Sequence, residues 1–189
     1  MEENAETTEG KGRIICPSLV ITSSIKVAPP TRRLMKCLSA LMGVPIIHRG
    51  KSNLDEIAYY VKRAGYKSFV VVYSRAKRPS LLSFYRLRPE GYFERYGCIV
   101  LKGVEFIARP SICIGFNLVN NGKGEISGVL WRFITNLFHG DACEGFLGRI
   151  CRLVIDDSDS IAVMRFWDGG RKVLELEVKR VVLSKEKQT

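Results

Sequence analysis

The groups that move protons or hold metals at neutral pH are few in this chain, and they are badly placed for joint work. There are two histidines, His48 and His139, and neither has a partner at metal-ligand spacing. His139 opens the stretch HGDAC, which ends in Cys143; one His and one Cys without a second pair read as loop residues. The acidic run DDSDS, Asp156 to Ser160, lacks the central glycine and distal glutamate of a calcium loop, so it reads as a hairpin turn between two apolar runs. NNGKGE, Asn120 to Glu125, misses the spacing of a nucleotide-binding loop and reads as a loop before a helix. Anion binding by that helix's amides is the alternative. No Ser/His/Asp or Cys/His set stands out in the chain. The expectation is a protein that is not an enzyme and that holds no metal or cofactor.

Cations are abundant, and they are unevenly placed. Net charge is +11 and the pI about 9.6. From Lys26 to Lys102, 16 Lys and Arg stand against four acids, Asp55, Glu56, Glu90 and Glu94; from Val104 to Leu183, ten stand against ten. A basic half beside a neutral half implies a surface for a polyanion, whereas solubilising charge would be spread and mixed in sign.

The candidate RNA-binding residues fall in three places. Thr22, Ser23, Ser24, Lys26, Thr31, Arg32, Arg33 and Lys36 occupy the first loop and helix start. Arg49 and Lys51 lie in HRGK, and Arg75, Lys77 and Arg78 in SRAKRP. Thr31 reads as a helix N-cap, and Arg32 and Arg33 then oppose the helix's own positive end, at roughly 0.3–1 kcal/mol each. With the helix amides, the hydroxyls and Lys26, they would make a phosphate site. Tyr73, Phe84, Tyr85, Tyr92 and Tyr96 add possible stacking surfaces, most of them expected to be core or half-buried.

These side chains need a scaffold that gathers loops. Leu19 to Thr22 reads as a buried strand stopped by Pro29 and Pro30. A helix follows from Thr31 to about Met42, with Leu34, Leu38 and Leu41 on one face and Gly43 at its end. Val44 to His48 reads as a second strand. Ser52, three residues before Asp55, suggests a capping box for a helix that ends at Gly65. SFVVVY, from Ser68, is an apolar run of the kind buried on both faces of a sheet, and LLSFYRL and CIVLKGVEF read as further strands. In a parallel β-α-β arrangement, loops after strand C-termini share one edge, so the three basic loops would converge.

The second half repeats the pattern at an offset of about 94 residues. ICIGFNLV reads as a strand, and Ile126, Val129, Leu130, Phe133 and Leu137 as the apolar face of a helix. RICRLVI, SIAVMRFWD and KVLELEVKRVVL read as strands joined by DDSDS and DGG. The expected fold is α/β, two similar halves from an internal duplication.

Hydrophobic residues at 46% suffice for a core, and no apolar run is long enough to span a membrane. Residues 1–12 are polar and acidic, and read as a disordered tail rather than a secretory signal. Residues 13–183 read as one domain, basic over about 18–104 and neutral over about 105–183, with a tail at 184–189. The six cysteines, Cys16, Cys37, Cys98, Cys113, Cys151 and Cys143, form no CxxC and read as buried and reduced. A disulfide is the alternative, mainly in a hyperthermophile.

The ordered series Ile21 to Ser24, Arg32 and Arg33, Arg49 and Gly50, and Phe69 to Arg78 resembles the Brix-domain family, over about residues 18–183 and most strongly before residue 96. Ile25 and Lys26 stand where the family often has Arg, and His48 where it often has Asn or Ser. The resemblance implies two similar halves, each a mixed sheet with helices like the anticodon-binding domain of class II aminoacyl-tRNA synthetases. It implies a ribosome-biogenesis factor that binds ribosomal RNA or its precursor, and a short form of the archaeal type, cytoplasmic there and nucleolar in a eukaryote. Ribosomal or assembly proteins docking on the neutral half are the further partners, with no membrane involved. The alternatives are a nuclease acting on nucleic acid and a protein-interaction module.

Overall fold

The computed structural model describes residues 13–141 and 148–184. The proposed tail at 1–12, residues 185–189 and Cys143 lie outside these. Among the described residues the order is β1 (Arg13–Ile15), β2 (Leu19–Ser23), α1 (Pro29–Met42), α2 (Leu54–Arg63), β3 (Ser68–Arg75), β4 (Arg78–Leu87), β5 (Phe93–Phe106), β6 (Gly115–Asn120), α3 (Glu125–Leu137), β7 (Ile150–Ser158), β8 (Ile161–Asp168) and β9 (Arg171–Leu183). The architecture is mixed α/β, as the alternation of patterns predicts.

The strands form one sheet in the order β1-β6-β7-β8-β9-β5-β4-β3-β2. Its two edge strands, β1 and β2, are joined by only three residues, Cys16, Pro17 and Ser18. Four Cα steps bound the distance from Ile15 to Leu19 to about 15 Å. A flat sheet with eight inter-strand spacings would part its edges by about 38 Å. The sheet therefore curls. Along the chain the same pairing senses occur twice: β2 is parallel to β3, with β4 and β5 following antiparallel. Likewise β6 is parallel to β7, with β8 and β9 following antiparallel. β5 and β9 join the two runs antiparallel.

Helices α1 and α3 pack into one core on one face of the sheet. The Leu34–Leu38–Leu41 stripe of α1 and Leu130, Phe133 and Leu137 of α3 are buried there with Ile21, Val70, Phe116, Leu153 and Leu176. Phe133 lies edge-on to Phe84 at 5.3 Å and tilted against Tyr96 at 5.2 Å, so α3 rests on strands of the first half. α2 lies on the outer face, where Ile57 and Val61 cover Val20, Phe69 and Val71. Gly43 ends α1 at φ +67°, as predicted. A Cβ there would stand 2.6 Å from the Cys113 carbonyl oxygen, because the loop before β6 presses on the end of the helix.

Several expectations change. α1 begins three residues early, with Ala28 rather than Thr31 as N-cap and both prolines in its first turn, where their missing N–H groups cost nothing. Asn53, not Ser52, caps α2, its Oδ1 accepting from the Glu56 amide at 2.8 Å. The segment from Val44 makes one parallel bridge, Ile46 to Ile21, rather than a full strand. The strand expected from Ile112 begins at Gly115. Cys16 is disulfide-bonded, against the expectation of reduced cysteines, while Cys37, Cys98, Cys113 and Cys151 are buried free thiols. No helix of the described residues is long and apolar enough to cross a membrane.

Candidate nucleic-acid interface

Register decides whether the basic loops meet. Ile46 bridges Ile21, and Ile21 pairs with Val70, so three segments run side by side in the same direction. They leave the sheet at the same edge. The first continues into Arg49 and Lys51, the second into Ser24 and Lys26, and the third to Arg75. The convergence predicted from the parallel arrangement holds for these residues.

The expected loop SRAKRP is mostly strand. Arg75 pairs directly with Arg78 across β3 and β4. The two residues between them, Ala76 and Lys77, have φ of +49° and +63°. That is the twist a two-residue hairpin demands, and it usually falls to Asn and Gly. Arg75, Lys77 and Arg78 are all exposed. Like charges directly opposite across strands destabilise a hairpin, so the tip gathers three cations at some cost to itself.

In the first loop, the Ser24 amide donates to the Val72 carbonyl at 3.2 Å and its hydroxyl to the Lys26 carbonyl, also at 3.2 Å. This turn leaves the Lys26 side chain exposed. In the second, Arg49 Nε donates to the Ser52 carbonyl at 2.8 Å, fixing the turn that exposes Lys51.

The hydroxyls and the helix start are corrected. Thr22, Ser23 and Thr31 are buried, which removes them from any macromolecular contact. Thr22 instead donates to the Ile47 carbonyl at 2.9 Å, tying the 45–47 segment to β2. The phosphate site of helix amides is also weak. Pro29 and Pro30 carry no N–H, and the Arg32 amide already bonds the Ala28 carbonyl at 3.1 Å. Arg32 is exposed. Arg33 lies with its guanidinium 4.5 Å over the Phe106 ring, which gives it a packing role. Lys36, a turn further along, lines a separate groove of about 700 Å³ with Pro17, Val44 and Ile112.

Electrostatically the edge is unbalanced. Among the described residues, none of Lys26, Arg32, Arg49, Lys51, Arg75, Lys77 and Arg78 is ion-paired. In the second half Arg165, Lys172 and Arg149 are paired internally. Arg165 donates to Asp156 and, at 2.9 Å, to Glu175; Lys172 shares Glu175 at 2.9 Å. Arg149 binds Asp168 at 2.6 Å. The NNGKGE loop is not an open anion site, because the Asp157 carboxylate accepts from the Lys123 and Gly124 amides at 2.5 and 2.7 Å.

A groove of about 1400 Å³ lies elsewhere and is lined by Lys62, Lys67, Arg86, Arg88 and Arg95. Four of these cations are engaged with the protein itself. Lys62 bonds the Gly91 carbonyl at 2.7 Å, Arg86 the Asn136 carbonyl at 3.3 Å, Arg88 the Glu94 carboxylate, and Lys67 lies 3.8 Å from Asp141. They hold the helix ends and the β4–β5 turn to the sheet.

Of the expected aromatics, Phe84 is buried and Tyr96 packs on the core. Tyr85 stacks on Phe69 at 4.6 Å, and Tyr92 is exposed at the β4–β5 turn. Burial pushes the Cys37 thiol up to about 11 and raises Cys113 and Cys151 as well, so these thiols are protonated at neutral pH. No group of three metal-ligating side chains occurs among the described residues.

Sequence reasoning missed Lys102, Lys179 and Arg180, exposed cations on β5 and β9. Two adjacent cations in the otherwise alternating strand KVLELEVKRVVL were the available signal. They mark a bulge, since Val100 pairs with Arg180 and Leu101 with Val178, leaving Lys179 unmatched.

This fold occurs in solved structures. A probable ribosomal biogenesis protein from Aeropyrum pernix K1 matches with a TM-score of 0.72 and 22% identity, over 86% of this chain and 95% of its own. Mil (Mth680), an archaeal Imp4-like protein, matches with a TM-score of 0.63 and 21% identity, over 87% of this chain and 99% of its own. At these identities the likeness concerns the fold. No family model matches the chain, and no curated protein does.

Proposed function

We propose that this chain is a non-catalytic RNA-binding factor of ribosome biogenesis, a Brix-type protein that holds pre-ribosomal RNA on its basic edge and assists its processing and assembly. The observation that carries the reading is the hairpin tip. Arg75 and Arg78 face each other across Lys77, with no ion pair among the described residues and at a cost to the hairpin. A polyanion supplies the missing counter-charge. The fold shared with proteins described as ribosome biogenesis and Imp4-like supports the biological setting, and the ordered Brix-like motifs in residues 21–78 support the family.

On this reading the two runs of identical pairing senses are one unit used twice within a single domain, each comparable to the anticodon-binding domain of class II synthetases. The first unit carries the RNA contacts. The second, neutral in charge, is where ribosomal or assembly proteins dock. Lys26, Arg32, Arg49, Lys51, Arg75, Lys77 and Arg78 are the contacts proposed, with Arg33 and Lys36 secondary. Filter binding of ribosomal RNA fragments at 50 and 200 mM salt tests this: seven phosphate contacts predict a slope of log K on log salt of about −5 to −6. Affinity that ignores salt, or no affinity at all, refutes the reading.

A further inference from the structure

We infer that the outer face of the sheet where the two halves meet, on β4, β5 and β9, seats a single-stranded segment of RNA. This rests on the RNA reading above and extends its footprint across the seam. Registers define the surface. Tyr73, Leu81, Val100 and Arg180 form one row across β3, β4, β5 and β9; Val71, Ser83, Cys98 and Val182 form the next, in which only Val182 is exposed; Phe69, Tyr85 and Arg95 form a third, with Phe69 buried. α2 packs on the β3 end of these rows, over Phe69 and Val71. Toward β9 the face opens, with Val182 42% exposed and Arg95, Lys102, Lys179 and Arg180 exposed.

Two features commit the occupant. First, the cations of this strip are unmatched. None of Arg95, Lys102, Lys179 and Arg180 is ion-paired among the described residues, whereas Arg165 on β8, Lys172 at the start of β9 and Arg152 on β7 are held by Asp156, Glu175 and the Trp167 ring. Glu105 and Glu177 stand further along β5 and β9, where the strip ends. The β9 bulge turns two successive cations outward, a shape that ordinary alternation would not give. Second, the cations are interleaved with apolar side chains, Leu81, Val100 and Val182. A ligand that offers only phosphates gains nothing from these, and an A-form duplex keeps its bases paired inside. Unstacked bases gain from both, as on other open sheets that bind single strands. The row from Tyr73 to Arg180 begins on the hairpin that carries the basic tip, so one strand of RNA runs from edge to seam.

The test compares a uridine oligomer of about 20 nucleotides with a hairpin RNA by fluorescence anisotropy. It uses the full chain and the triple variant Lys102→Gln, Lys179→Gln, Arg180→Gln, with Arg132→Gln on α3 as control. The seam variant should lose about tenfold or more in affinity for the uridine oligomer at 0.1 M salt, and about two from its salt slope. Hairpin affinity should change less than about threefold, and the control should match the parent. Parent-like binding of the oligomer by the seam variant overturns the seam and leaves the edge standing. Equal losses on both RNAs also overturn it, because the seam then reads only charge. A parent that binds neither RNA overturns both readings. Thermal melts establish folding, and Arg180→Gln alone serves if the triple variant unfolds.

Discussion

Replacing Lys77 with glycine should make the protein more stable and a weaker RNA binder. Lys77 sits at φ +63° in the two-residue turn between β3 and β4. A left-handed conformation costs an L-residue about 1–2 kcal/mol, and glycine adopts it freely but loses about 0.5–1 kcal/mol of chain entropy. The net gain is about 0.5–1 kcal/mol, or about 1–4 °C in Tm for a chain of this size. Relief of repulsion with Arg75 and Arg78 adds to it. The same change removes one cation from the edge. At 0.1 M salt, a phosphate contact carrying a slope of about 0.7–0.9 is worth about five- to eightfold in affinity relative to 1 M. Ala76→Asn is the control. Ala76 has φ +49° in the same turn, and asparagine eases it without touching charge. Calorimetry and filter binding on both variants separate the effects: Tm rises in both, and RNA affinity falls only in Lys77→Gly. Unchanged affinity in Lys77→Gly would show that the tip does not touch RNA, and a lower Tm would show that the turn is not strained.

Arg32→Ala should weaken RNA binding about five- to eightfold at 0.1 M salt with Tm unmoved. Arg33→Ala should instead cost about 0.5–1 kcal/mol in a melt, because its guanidinium lies 4.5 Å over Phe106. Asp157→Ala should lower Tm at pH 7. Hydrogen bonds from Ser127, Gly124 and Lys123 hold the Asp157 carboxyl below the usual range. Its contribution is therefore present above the unfolded pKa near 4 and fades as pH falls through the lower folded value, so the gap between the two melts should close in acid. Asp168→Asn should cost about 1–3 kcal/mol in chemical denaturation, because a buried carboxylate accepting from the Ser111 amide at 2.7 Å and Arg149 Nε at 2.6 Å is lost.

The elements that periodicity defines were legible in the sequence. The α1 stripe Leu34–Leu38–Leu41, the run from Ser68 and the repeat of pattern in the second half all locate real elements. The starts of elements were not, since a cap is a local contest. Thr31 has the better capping side chain, yet Pro29 and Pro30 preset helical φ before it and move the start to Ala28. For the site, convergence of basic loops follows from strand direction and was readable. Which side chains remain exposed was not. Thr22 and Ser23 look like loop hydroxyls in one dimension and become buried because the 45–47 segment closes over β2. The disulfide at Cys16 carries no spacing signal at all, and the bulge that turns Lys179 and Arg180 outward depends on a neighbour about 80 residues earlier in the chain.

The two β-α-β runs differ in charge at positions related by their strand pairing, and this yields one more test. In the β6–α3–β7 unit the helix start is closed by Asp157, two residues beyond Ile155, which pairs with Asn120 at the end of β6. In the β2–α1–β3 unit the matching residue, two beyond Val72, which pairs with Ser23 at the end of β2, is Ser74. α1 likewise has no acid in its first turn and no side-chain cap. The basic edge thus owes its field to the absence of one internal carboxylate as well as to the presence of cations. Ser74→Asp restores that carboxylate beside Arg75. It should cancel about one phosphate contact, lowering RNA affinity about five- to eightfold at 0.1 M salt and the salt slope by about 0.7–0.9. Stability should hold or rise by up to about 1 kcal/mol, the range of an exposed ion pair. Asparagine at the same position should leave both unchanged. If Ser74→Asp binds RNA as the parent does, with its melt intact, the edge does not meet the phosphates, and the hairpin's unmatched cations need another explanation.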